Sequence, residues 1–156
     1  MSTPSATPST VLTEAMRKQA IGLKSSPVHL EVEKGAIVKF AQAIGDGNPL
    51  FNDEAAARKT RYGGLIAPPT FLRSLGQLRP EMPFDLPFHR VLDGGSDWEY
   101  FQPVRPGDRI TAVAAITDLR ERTGRLGLMV ISTIVTTYRN QFGEVVATQS
   151  NATIRY

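Results

Sequence analysis

Apolar positions follow two different rhythms along this chain, mostly helical before Pro80 and alternating after it. In "GAIVKFAQAIGD", Ile37, Phe40, Ala41 and Ile44 recur at helical spacing, and Gly45 supplies the stop. A short helix is expected over residues 13–21, closed by Gly22. Between them "PVHLEVEKG" alternates, which predicts a strand with Val28, Leu30 and Val32 on one face. "DEAAARKT" reads as another short helix, acidic at its start and basic at its end, capped by Asn52 or Asp53. "APPTFLRSLGQL" opens with proline where a helix tolerates it, and Phe71, Leu72, Leu75 and Leu78 give residues 69–78 an apolar face. Beyond Pro80 four segments rich in Val, Ile and Thr follow: "RVLDGGSDWEYFQPV", "RITAVAAITDLRE", "LGLMVISTIVTTYRN" and "EVVATQSNATIRY". The turns "RPGD", "RTGR" and "QFGE" separate them, and turns this short predict antiparallel neighbours. Helices followed by an antiparallel meander define an α+β fold, with the helix over residues 69–78 as the one for the sheet to wrap. One curved sheet around one helix leaves open edges, so a dimer or larger oligomer is expected.

Composition narrows the chemistry. The 156 residues suit one domain over residues 13–156. Residues 1–12, rich in Ser, Thr and Pro, are expected to form a disordered tail. The absence of cysteine excludes disulfides, thiolate metal sites and a cysteine nucleophile. With His29 and His89 as the only histidines, a multi-histidine metal site is not expected, and no cofactor is implied. The net charge of +3 is spread along the chain without a basic run, so nucleic acid is not the expected partner. Mild basicity does suit an anionic small ligand. No apolar run has the length of a membrane span, and the N-terminus lacks the pattern of a secretory signal, so a cytoplasmic protein is expected.

The candidate chemistry lies in "FAQAIGDGNPLFNDEAAA", where Asp46, Asn48 and Pro49 share one tight loop. Asp46 is either a turn device, satisfying loop N–H groups, or half of a catalytic pair. Together with "YGGLIAPPTFL" and "DWEYFQPVRPGDRI", this segment resembles the MaoC-like hydratase and dehydratase family, from about Leu30 to the C-terminus. The likeness is greatest to the N-terminal type of MaoC domain, including the smaller subunits of mycobacterial-type (3R)-hydroxyacyl dehydratases. The resemblance implies a hot-dog fold, a long central helix wrapped by a curved antiparallel sheet. It also implies hydration of trans-2-enoyl thioesters, or the reverse, on acyl groups carried by coenzyme A or acyl carrier protein. In active members the loop reads G-D-x-N-P-x-H, and Asp and His hold one water between them. A backbone N–H at the start of the central helix stabilises the thioester oxyanion.

Carried over residue by residue, Asp46, Asn48 and Pro49 match the loop, but the position of the His is Phe51. A phenyl ring neither donates nor accepts that proton. Where active members have His-Gly, this chain has Pro68 and Pro69 after Ala67, and proline has no N–H to offer an oxyanion. Thr70 retains one, so a shifted oxyanion hole is open. The resemblance therefore implies a subunit with a degenerate site. It would shape the acyl-thioester pocket with Asn48, Pro49, Phe51, Ala67, Pro69, Thr70 and Phe71, beside a second hot-dog subunit bearing Asp and His. Two alternatives stand beside it: a homodimeric acyl-CoA-binding module without turnover, or an active hydratase with a site rearranged around Asp46, Thr70 and His89. Phe51 is otherwise ordinary core, and Arg58, Lys59 and Arg61 either reach coenzyme A phosphates or complement a helix end. Trp98 and Tyr100 are expected to pack on the sheet.

Overall fold

The structure, a computed structural model, describes residues 10–156. Residues 1–9 of the expected tail lie outside the described residues. The rest of that tail is packed: Glu121 accepts hydrogen bonds from Thr10 Oγ1 at 2.8 Å, from the Val11 N–H and from the Leu12 N–H at 2.7 Å. Leu12 is buried, so the folded region already includes it. Helix α1 (Glu14–Ala20) follows, with Thr13 Oγ1 accepting from the Met16 N–H.

Strand β1 (Val28–Glu31) leads into α2 (Lys34–Ala43), which buries Ile37 and Ala41. Two short helices, α3 (Pro49–Asn52) and α4 (Glu54–Arg58), come next. Asp53 caps α4, its Oδ1 accepting from the Ala56 N–H at 3.0 Å. Two of the expected apolar positions face water. Val28 is partly exposed on the four-residue edge strand, and Ile44 is half exposed because it is the C-cap of α2 rather than part of its buried face.

The segment expected as the long central helix is a seven-residue 3₁₀ helix (Pro69–Leu75). Pro68 and Pro69 open it, Ser74 Oγ donates back to the Phe71 carbonyl at 2.6 Å, and Gly76 ends it at φ +78°. Hydroxyl back-bonding of this kind competes with regular α-helix, and a left-handed glycine terminates it. Phe71 and Leu72 nonetheless reach the core, and Phe71 meets Phe40 edge to face at 5.5 Å.

The strands β2 (Val91–Tyr100), β3 (Arg109–Gly124), β4 (Gly127–Arg139) and β5 (Val145–Arg155) join β1 in one antiparallel curled sheet of order β1-β3-β4-β5-β2. Two turns differ from expectation. The β3–β4 hairpin pairs Gly124 with Gly127, which places its two-residue loop at Arg125-Leu126 rather than at "RTGR". The "RPGD" turn does not fold β2 back on β3, because the Gly107 N–H donates to the Val32 carbonyl and the Val32 N–H to the Asp108 carbonyl. The turn is docked beside the end of β1, and β2 pairs instead with β5 on the other side of the sheet.

Candidate functional site

The loop after α2 is built by its own polar side chains. Gly45 turns at φ +71°, and the Asp46 N–H closes the helix on the Ala41 carbonyl at 2.9 Å. Asp46 Oδ1 accepts from the Asn48 N–H at 3.0 Å, and Asn48 Oδ1 accepts from the Leu50 N–H at 3.0 Å. These are successive Asx turns, the second of which caps α3 with Pro49 at its first position. One turn further, Phe51 points inward and is 5% exposed.

Phe51 forms part of the wall of an apolar cavity of about 490 Å³. Leu50 stands beside it, and Ile66, Ala67, Pro68, Pro69 and Leu72 also line it. These segments are fixed by two backbone bonds, from Ile66 N–H to the Leu50 carbonyl at 3.1 Å and from Ala67 N–H to the Val104 carbonyl at 2.8 Å. The end of β2 supplies Tyr100, followed by Phe101, Gln102, Pro103 and Val104, and Arg61 and Tyr62 complete the lining. Desolvation raises the Tyr100 phenol above its ordinary range. Among the described residues, no carboxylate and no imidazole lines this cavity.

Of the residues expected at the site, the cavity thus gathers Phe51, Ala67 and Pro69. Asp46 and Asn48 in the loop and Pro49 at the start of α3 lie outside the lining, Thr70 is exposed, and Phe71 is core against Phe40. His89 is exposed and lines no part of the cavity. Trp98 packs on the sheet as expected, stacked between Tyr100 at 5.8 Å and Tyr138 at 5.4 Å. Tyr100 does more than pack, since it also forms cavity wall. Phe101 and Gln102 had no alternation to mark them: both their N–H groups turn onto the single Val146 carbonyl, at 2.9 and 3.3 Å, which ends the strand and sends adjacent side chains into one cavity.

Residues 19–149 match the family described as FAS1-like, dehydratase domain region. The chain belongs to that family. Over 99 residues this FAS1-like dehydratase region is 36% identical to a UPF0336 protein of Streptomyces avermitilis, an alignment covering 60% of this chain and 66% of that one. Its fold superposes on a MaoC-like dehydratase from Rhodospirillum rubrum with a TM-score of 0.71 and 26% identity, covering 89% of this chain and 94% of the other. It also superposes on one chain of the C-terminally truncated HadBC complex of Mycobacterium tuberculosis, a 3R-hydroxyacyl-ACP dehydratase. There the TM-score is 0.70 at 23% identity, covering 86% and 96%. The MaoC-like resemblance and the hot-dog class are borne out, with the central helix of this FAS1-like dehydratase region shortened to a 3₁₀ element.

Proposed function

We propose that this chain is the degenerate-site subunit of an (R)-specific enoyl-thioester hydratase or 3-hydroxyacyl-thioester dehydratase. It would hold the acyl chain of a coenzyme A or carrier-protein thioester beside a second hot-dog subunit that supplies Asp and His. The observation that carries this reading is Phe51, a buried phenyl ring that forms cavity wall at the position of the family's base. Pro69 at the start of the 3₁₀ helix has no N–H for an oxyanion. Asp46 supports the same reading, because its carboxylate is engaged by the Asn48 N–H and lies outside the cavity lining. A site rearranged around Asp46, Thr70 and His89 draws no support from that lining. The dehydratase family and the two-subunit HadBC relative support the partner arrangement. The homodimeric binding module would share the apolar cavity but need no partner.

The test is hydration of crotonyl-CoA, followed by loss of enoyl-thioester absorbance. Losing a general base costs about a hundred- to ten-thousand-fold, and losing an oxyanion donor about a hundred- to a thousand-fold. The purified protein is therefore expected at background, and Phe51→His alone recovers little. Phe51→His combined with Pro68→His and Pro69→Gly recovers measurable turnover. With a catalytic partner present, Asp46→Asn leaves the activity of the complex largely intact. Substantial turnover by the unmodified protein alone would falsify the degenerate-site reading. Failure of every Asp/His-bearing partner to elicit activity, with acyl-thioester binding retained, would favour the binding module.

A further inference from the structure

The three basic residues at and beyond the end of α4 have three different surroundings. Arg58 donates to Glu54 Oε1 at 2.9 Å, one turn back on the same helix. Lys59 is the helix C-cap. Arg61 belongs to the cavity, and among the described residues it has no ion-pair partner. Its guanidinium lies over the Tyr62 ring, 4.9 Å from the centroid, and its Nη2 donates to Tyr62 Oη at 2.7 Å.

The loop that carries this pair is held at each step. Thr60 Oγ1 donates to the Ala57 carbonyl at 2.7 Å and accepts from the Tyr62 N–H at 3.2 Å. The Gly63 N–H returns to the Thr60 carbonyl at 3.0 Å, with Gly63 at φ +68°. From the far side, Arg105 Nη1 donates to the Tyr62 carbonyl at 2.6 Å. A guanidinium stacked on a ring attached to so fixed a loop loses little freedom when it binds an anion. One of its five N–H groups is used on Tyr62, and the others remain available in the plane. An apolar cavity with one unpaired, oriented guanidinium beside it matches a ligand that is greasy at one end and anionic at the other.

We propose that Arg61, held on Tyr62, binds a phosphate ester of the thioester's carrier arm while the acyl end occupies the cavity. This rests on the acyl-thioester reading above and extends it to the carrier. The 4′-phosphate is common to coenzyme A and to the prosthetic arm of a carrier protein, and coenzyme A has further phosphates on its nucleotide. The geometry at Arg61 recognises the shared phosphate chemistry.

The experiment is calorimetric titration of the full chain with octanoyl-pantetheine, octanoyl-phosphopantetheine and octanoyl-CoA at two salt concentrations. A charge-assisted contact of this kind is expected to favour the phosphorylated probes by about ten- to a hundred-fold. Arg61→Gln should abolish that preference, so that the three probes bind the variant with equal affinity, while Arg61→Lys retains part of it. Equal gains for phosphopantetheine and CoA, both lost in Arg61→Gln, would place the 4′-phosphate at Arg61, and a gain for CoA alone that is lost in the variant would place a nucleotide phosphate there. Both support the assignment, and a gain that survives in the variant overturns it. Equal affinity of the native protein for all three probes overturns it, as does an Arg61→Gln variant that weakens all three alike. If octanoyl-pantetheine itself fails to bind, the acyl-cavity reading falls and this inference with it. If it binds without a phosphate advantage, only the role of Arg61 falls.

Discussion

Tyr138 is fully enclosed, stacked on Trp98, and its hydroxyl donates to Gln149 Oε1 at 3.1 Å. Desolvation pushes its phenol up to about 12, overcoming the opposite pull of the Arg73 charge. The folded state thus holds this proton more tightly than the unfolded chain, whose phenol titrates near 10.0. The associated stability is complete below pH 10.0 and is lost as pH rises toward about 12. In a spectrophotometric titration of the folded protein, the last tyrosinate step should come from Tyr138, and Tyr138→Phe should remove it. A titration in which all four tyrosines ionise together near their ordinary value would contradict this enclosure. At the same scale, the apolar setting of Phe51 was legible, because it required only the loop motif and the residue in it. Tyr62 and Gln102 were not legible as cavity lining. Their placement depends on where a loop is pinned and where a strand stops, and no periodicity records either.

Among the elements, the 3₁₀ helix departs most from the expected pattern. Phe71, Leu72, Leu75 and Leu78 fit an α-helical face, but they fit a tighter turn followed by an extended segment just as well. The proline pair, the Ser74 back-bond and Gly76 decide between them. Despite its length the element anchors the interior through Phe71 at 3% and Leu72 at 2% exposure. Phe71→Ala should therefore cost about 3–5 kcal/mol, the range for removing a buried phenyl ring. Chemical denaturation should show this as a lower midpoint with an unchanged slope. A loss under about 1 kcal/mol would mean that the ring contributes little to the core. The strands were more legible because their alternation is long. In β3 that alternation even changes phase: Ile110, Ala112, Ala114 and Ile116 are inward, a bulge follows, and Leu119 is the next inward residue.

At the scale of the whole molecule, the sheet has open edges at β1 and β2 among the described residues. The β2 side exposes Val91 at 47%, Leu92 at 42%, Tyr100 at 44% and, just beyond the strand, Phe101 at 49%. An edge of this length and apolarity is a template for another chain. Sedimentation at micromolar concentration should therefore give a dimer or larger assembly, alone or with a second hot-dog subunit. A purely 17.1 kDa species under both conditions would count decisively against it. Strand order was the least legible property at this scale. Sequence neighbours β2 and β3 are not neighbours in the sheet, because the "RPGD" turn is bonded to Val32 rather than closing a hairpin.

That order also sets a timetable for the growing chain. β2 has its ladder partner in β5, with Val91 opposite Arg155 and Tyr100 opposite Ala147, so β2 is synthesised well before the strand it needs. The β3–β4 hairpin closes locally, and β5 then adds to β4 before or while it captures β2. Pairings between segments distant along the chain form slowly because loop closure comes first. The side of the cavity supplied by Tyr100 and the residues after it is thus completed late in biogenesis. Until then an apolar segment waits on the nascent chain without its sheet partner, and this interval is when the protein is most exposed to misassembly.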